Sequence, residues 1–194
     1  MRQNKINVAI TGGIGSGKST VAEIIKETGY PVFSCDETYA KLLRSSDFIK
    51  EIGEEFDGVV TEKGELDRAK LSSIVFNDKV MLEKLNRITH PAIYKEMFSM
   101  AENEDKNCFF EVPLLFEDNS EVLFDKIIVV LRDKAKRIDA VKRRDNLSDK
   151  QIEERIKSQI DYDNIDFAKY YVIHNNGDLY ALKQRTKEIL EVLK

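Results

Sequence analysis

Gly12-Gly13-Ile14-Gly15-Ser16-Gly17-Lys18-Ser19 satisfies the pattern G-x-x-x-x-G-K-[ST] without a gap. Each residue type answers a need of a bound polyphosphate. Glycines let the backbone curl so that successive N–H groups point inward at phosphate oxygens. The helix that follows turns its positive dipole end toward the same anion. Lys18 is expected to reach the β- and γ-phosphates of ATP, and the Ser19 hydroxyl to bind Mg²⁺. Gly13, Ile14, Gly15, Ser16, Gly17 and Thr20 complete the expected nucleotide contact. The competing dinucleotide pattern G-x-G-x-x-G fails, because the position after Gly13 and Gly15 that needs a third glycine holds Lys18.

A phosphate cradle serves kinases, switches and motors alike, so further groups must distinguish them. No strand end of the form h-h-h-h-D is evident: Ile127 to Leu131 runs into Arg132, and Cys108 to Val112 runs into Pro113. A small-molecule kinase also needs a group that orients the acceptor hydroxyl, an acceptor pocket, and cations over the transferring phosphoryl. Asp36 answers the first need, since it follows the second strand at the sheet edge that also carries Lys18. An equally simple use of Asp36 is to cap the next helix. Between Arg132 and Asp145, Arg132, Lys134, Lys136, Arg137, Lys142, Arg143 and Arg144 are opposed by Asp133, Asp139 and Asp145. Most belong to a solvated helix face. An arginine from such a helix can also act as a lid residue against charge on the phosphoryl group.

The elements that must hold these residues alternate. Ile6 to Thr11 reads as a buried strand, Ser19 to Thr28 as a helix stopped by Gly29, and Val32 to Ser34 as a short second strand. A helix starts at Asp36, and 47–100 is helical apart from a linker at 57–65. His90-Pro91 is expected to interrupt that run, because proline lacks the donor and restricts the residue before it. Strands follow at Cys108 to Val112, Lys126 to Leu131 and Tyr170 to His174. Helices are expected at Lys134 to Asn146, at Asp149 to Ile160 with Ser148 as N-cap, and at Leu179 to Leu193. Five apolar strands separated by helices imply an α/β fold of three layers, a parallel five-stranded sheet with helices on both faces. Ligands of such sheets bind at the carboxyl ends of the strands.

Composition narrows the function classes. The chain has 194 residues, 42% hydrophobic and 34% charged, enough for a core and unlike a disordered or collagen-like chain. A net charge of −4 excludes a bulk polycation that coats nucleic acid. No apolar run approaches a membrane span, and the N-terminus lacks a secretory apolar region. Cys35 and Cys108 read as free thiols, and the expected location is the cytoplasm.

The motifs together resemble dephospho-coenzyme A kinase, over about Ile6 to Leu193. The matching pieces are the Thr11–Ser19 loop, Asp36, Leu66-Asp67-Arg68, Ile74-Val75-Phe76 and Thr89-His90-Pro91. Further pieces are Val112-Pro113-Leu114-Leu115-Phe116-Glu117, Arg144-Asp145, Arg155-Ile156 with Gln159, and Asn175-Asn176-Gly177. The resemblance implies transfer of phosphate from ATP, with Mg²⁺, to the ribose 3′-hydroxyl of dephospho-coenzyme A, the last step of coenzyme A synthesis. It implies Asp36 as base or orienting residue and Arg144 as lid arginine, both catalytic with Lys18. Arg68, His90, Pro91, Pro113, Leu114, Leu115 and Glu117 would line the acceptor side with Asp36. Asn175, Asn176 and Gly177 would sit against the adenine. It also implies a core of about 1–36, 106–133 and 168–194, a helical acceptor lobe at 37–105 and a lid at 134–160. Some positions depart from the family pattern. Ser34 stands where an Asp-x-Asp pair usually begins, and His174 where an aspartate usually precedes Asn-Asn-Gly. After Gln159 a basic residue is common, whereas Asp161, Asp163 and Asp166 make this stretch acidic. The rivals are a kinase of a nucleoside or nucleotide acceptor and a non-catalytic nucleotide switch.

Overall fold

A computed structural model describes residues 5–76, 78–145 and 147–194. The chain divides into two compact units, one of residues up to Phe33 together with Glu104–Lys194, the other Ser34–Asn103. The expected lid segment clusters with the first.

Five strands form one parallel sheet: β1 Asn7–Thr11, β2 Val32–Ser34, β3 Cys108–Glu111, β4 Lys126–Leu131 and β5 Tyr171–His174, in the order β2-β3-β1-β4-β5. The central strand β1 pairs with β3, placing Ile10 opposite Glu111, and with β4, placing Thr11 opposite Val129. Side chains alternate between the two faces. Val8, Ile10, Phe109, Ile128, Val130 and Ile173 pack with Val21, Ile24 and Ile25 of α1 (Lys18–Glu27) and with Leu182, Ile189 and Leu190 of α8 (Leu179–Val192). Ala9, Phe110, Ile127 and Val129 are buried on the other face, where the Phe110 ring meets Phe33 and Phe124. Each fully buried aliphatic side chain stabilises the fold by roughly 1.5–3 kcal/mol.

The second unit is helical: α2 Cys35–Leu42, α3 Ser46–Glu55, α4 Arg68–Val75 and α5 Lys79–Glu102, around a core of Phe48, Ile52, Phe56, Val59, Leu71 and Leu85. The 57–65 linker folds back so that Val60 and Leu66 form an isolated antiparallel bridge. One expectation is overturned here. His90-Pro91 does not break the helix, and α5 runs through Pro91 without interruption. The lost N–H costs one helical hydrogen bond, on the order of 3 kcal/mol with the ring clash. Against it stands a stripe of buried residues at four-residue spacing, Leu85, Thr89, Ile93, Met97 and Ala101, on both sides of the proline. Asp78 caps the start by accepting from Val80 and Met81 N–H.

The remaining helices are α6 Lys134–Asp145 and α7 Asp149–Lys157. The expectation that α6 reaches Asn146 falls on a residue outside those described. Ser148 caps α7 in a reciprocal box with Gln151. That helix stops three residues before the expected Ile160, because Gln159 and Ile160 commit their polar groups elsewhere. Cys35 and Cys108 form no disulfide among the described residues, and burial raises the Cys108 thiol pKa. Among the described residues, no helix is long and apolar enough to cross a membrane.

Candidate active site

The loop from Gly12 to Gly17 joins the carboxyl end of β1 to α1, and Lys18 opens the helix. Gly17, at the helix N-cap, has φ +100°, a conformation that a side chain resists. A Cβ there would also come within 2.3 Å of Asn175 Nδ2, so glycine is needed for both reasons. Ser16 N–H donates to Gly13 O at 3.1 Å, closing the curl. Lys18 Nζ lies 3.4 Å from Gly13 O, folded back over the loop it follows. Ser16 is 1% exposed, so the floor of the cradle is dry.

Ser19 Oγ donates to Glu111 Oε1 at 2.6 Å. Here the sequence reading is corrected. β3 ends at Glu111, not at the proline, and sets an acid at a strand end beside the phosphate loop. The signal was present in Phe109-Phe110-Glu111, an acid closing a strongly apolar strand. A hydroxyl and a carboxylate oxygen are hard donors of the kind Mg²⁺ prefers, and Mg²⁺ keeps waters and phosphate oxygens for its other positions. Ser19 and Glu111 therefore fit this cation, although among the described residues no cluster of three or more His, Cys, Asp or Glu does.

Asn175 and Asn176 follow β5. Asn175 is 9% exposed and donates through Nδ2 to Ser16 O at 2.8 Å, so its carboxamide is turned into the phosphate loop. Asn176 exchanges hydrogen bonds with Asp133: its Oδ1 accepts from Asp133 N–H, and its Nδ2 donates to Asp133 Oδ1. Gly177 is exposed. Thr20 is exposed in the first turn of α1.

Arg144 lies near the end of α6 and clasps Asp145 with Nε and Nη2 at 2.7 and 2.8 Å. This grip holds the Asp145 carboxyl below the usual carboxylate range, and Arg155 adds to the effect from 3.8 Å. Arg137 of the same helix is buried and pairs with Asp163. Burial raises Tyr162 well above an ordinary phenol, so it stays neutral beside Thr11.

At the end of β3, Pro113 and Glu117 are half-buried, Leu114 is exposed and Leu115 is wholly buried. Leu115 thus backs this turn from inside, its carbonyl accepting from Ser120. Glu117 Oε1 accepts from Ile160 N–H at 3.0 Å.

In the helical unit, Asp36 is exposed in the first turn of α2, where the dipole favours an acid. It is not the N-cap: that position is Ser34, whose side chain makes no capping bond. Arg68 opens α4 behind the Asp67 cap and is exposed, and its charge acts on the half-buried Tyr39. His90 is half-buried and Pro91 exposed on α5, and Phe76, just past α4, is 79% exposed.

A parallel sheet in this order, with a glycine cradle after its first strand closing on a lysine and a serine, defines the P-loop kinase class of folds. Shikimate kinase from Acinetobacter baumannii shares that fold at 15% identity, with a TM-score of 0.53 over 98% of this chain and 93% of its own. The particular assignment is sharper: the chain belongs to the dephospho-CoA kinase family, whose model matches residues 6–181. Dephospho-CoA kinase from Fusobacterium nucleatum subsp. nucleatum is 35% identical over 190 residues, 96% of this chain and 97% of that one. The crystal structure of TT1252 from Thermus thermophilus is 31% identical, with a TM-score of 0.83 over 99% of this chain and 100% of that one. Dephospho-CoA kinase from Campylobacter jejuni is 27% identical, with a TM-score of 0.65 over 98% of both chains. The protein is accordingly an enzyme, a phosphotransferase.

Proposed function

We propose that this enzyme transfers the γ-phosphoryl group of ATP to the ribose 3′-hydroxyl of dephospho-coenzyme A, giving coenzyme A and ADP, the last step of coenzyme A biosynthesis. The observation that carries this reading is a complete phosphate loop, with Lys18 and the Ser19–Glu111 pair, inside a chain that its family spans almost end to end. A bond forms from the 3′-oxygen to phosphorus as the bond to the β–γ bridging oxygen breaks. The electron pair leaves with ADP, and the hydroxyl proton passes to Asp36.

The loop from Gly13 to Thr20 binds the phosphate oxygens through its backbone amides, apart from those of Ile14 and Ser16, which donate to Gln159 and to Gly13 O, and Lys18 neutralises the β- and γ-groups. Ser19 and Glu111 would hold Mg²⁺, which when bound would screen charge between the phosphates. Asp36 aligns the ribose hydroxyl with the γ-phosphorus, which supplies positional catalysis. Arg144 exchanges Asp145 for the transferring phosphoryl as the part of the 134–160 lid segment between the anchored Arg137 and Gln159 closes. Arg68, His90, Pro91, Pro113, Leu114 and Glu117 receive the acceptor, with Leu115 supporting the Pro113–Leu114 turn from within. Asn176 and Gly177 border the adenine, and Asn175 supports the loop beneath the phosphates. The site of action is the cytoplasm, where ATP and reduced thiols coexist.

The test is ADP formation from Mg-ATP with and without dephospho-coenzyme A, followed by identification of the product. Strong stimulation and a 3′-phosphorylated product are expected. Stimulation by a nucleoside or nucleotide instead would reassign the acceptor, and none by any small acceptor would leave a nucleotide switch.

A further inference from the structure

Residues 159–163, just after α7, grip the strand side of the phosphate loop at three points. Tyr162 Oη lies 3.4 Å from Thr11 Oγ1. Gln159 Oε1 accepts from Ile14 N–H at 2.7 Å. Asp163 Oδ2 accepts from Arg137 Nη2 at 2.7 Å, and Arg137 Nη1 lies so close to Gly13 that a Cβ there would come within 2.4 Å of it. Gly13 has no left-handed φ, so its small size serves this contact with the guanidinium. The segment is itself anchored: Ile160 N–H donates to Glu117, and the Tyr162 ring stacks on Phe167 at 5.6 Å and meets Phe116 at 6.4 Å.

Arg137 is the odd member of this set. It is 3% exposed, and its Nε finds no partner among the described residues. Its one acid, Asp163, is half-exposed. For stability alone, a buried ion pair is commonly no better than well-packed apolar side chains of the same volume. A buried positive charge against the phosphate loop has another use. It is fixed, desolvated and close to the place a polyphosphate binds, where charge acts more strongly than in water.

We propose that Arg137, oriented by Asp163, is a positioning residue of the nucleotide site: it sets Gly13 in place and supplies a fixed cation behind the triphosphate. The acidic 161–166 stretch then has a purpose, since Asp163 aims the guanidinium and does not meet phosphate. Gln159 and Tyr162 hold the flanking loop residues in the same setting. The inference rests on the ATP-dependent kinase reading, and nothing in it depends on which acceptor is used.

The test is direct titration of Mg-ATP without acceptor, together with both Michaelis constants and the melting temperature, for Arg137→Met and Asp163→Asn. Arg137→Met keeps the volume and removes the charge. It should weaken Mg-ATP binding about tenfold and raise the ATP KM in step. The acceptor KM should stay constant, and the melting temperature should equal or exceed that of the parent. Asp163→Asn should weaken Mg-ATP binding by several-fold, and Arg137→Lys should recover part of the loss. Should Arg137→Met fail to fold, Asp163→Asn carries the same reading. Parent-like ATP affinity in a folded Arg137→Met, or equal rises in both Michaelis constants, overturns the proposal while leaving the kinase assignment intact. A parent that does not bind Mg-ATP overturns both. A parent that binds it but phosphorylates another acceptor corrects only the acceptor, and a tenfold loss in Arg137→Met there still supports the inference.

Discussion

The phosphate loop and the helical unit carry their expected functional residues in opposite ways. Around the loop, Ser16, Arg137 and Asn175 are buried, and the Thr11 hydroxyl, Ile14 N–H and Ser16 O already have partners in distant segments. In the helical unit, Asp36, Arg68 and Pro91 stand exposed at helix starts or on a helix surface. The difference follows from what each region handles. A cradle of N–H groups works only if its curvature is preset, so the fold braces it and buries its floor. Groups proposed to receive a large flexible acceptor meet it from water, and their charges are hydrated here.

Substitutions can break or sharpen this contrast. The largest effect belongs to the preset side: Lys18→Met should lower turnover roughly 10³-fold and weaken ATP binding. Asp36→Asn should lower turnover roughly 10²-fold while ATP titrates as in the parent. A matching loss of ATP affinity in Asp36→Asn would erase the division between the two regions. Arg144→Ala should cost about as much turnover as Asp36→Asn with an unchanged melting temperature, because its pair with Asp145 is exposed and contributes little to stability. A normal rate would remove Arg144 from the reaction. Glu111→Gln should raise the Mg²⁺ concentration for half-maximal rate about tenfold, read from a metal titration at saturating ATP. The smallest change is Ser148→Ala, which removes a helix cap worth about 1 kcal/mol. Its readout is the denaturant midpoint, with the ATP KM constant.

Much of the cradle is legible in the sequence because it is a backbone device. Glycine spacing, a lysine and a serine report it directly, and alternating apolar strands report the sheet that carries it. Glu111 escaped because Pro113 looked like the strand's end, whereas β3 stops two residues earlier. The 159–163 clasp escaped for a different reason. Two of its partners, Thr11 and Ile14, lie more than a hundred residues upstream, and no local periodicity encodes such a meeting. Pro91 shows the converse. A strong local rule forecast a break, and a buried stripe continuing on both sides of it prevailed.

Asn175 links the two ends of this story. Its carboxamide reaches the Ser16 carbonyl across 159 residues of chain. The brace comes from a segment made long after the glycine motif, so the loop does not take its final shape from local sequence alone. The curl of the motif is therefore a property of the assembled sheet, and a fragment that stops short of Asn175 lacks this brace.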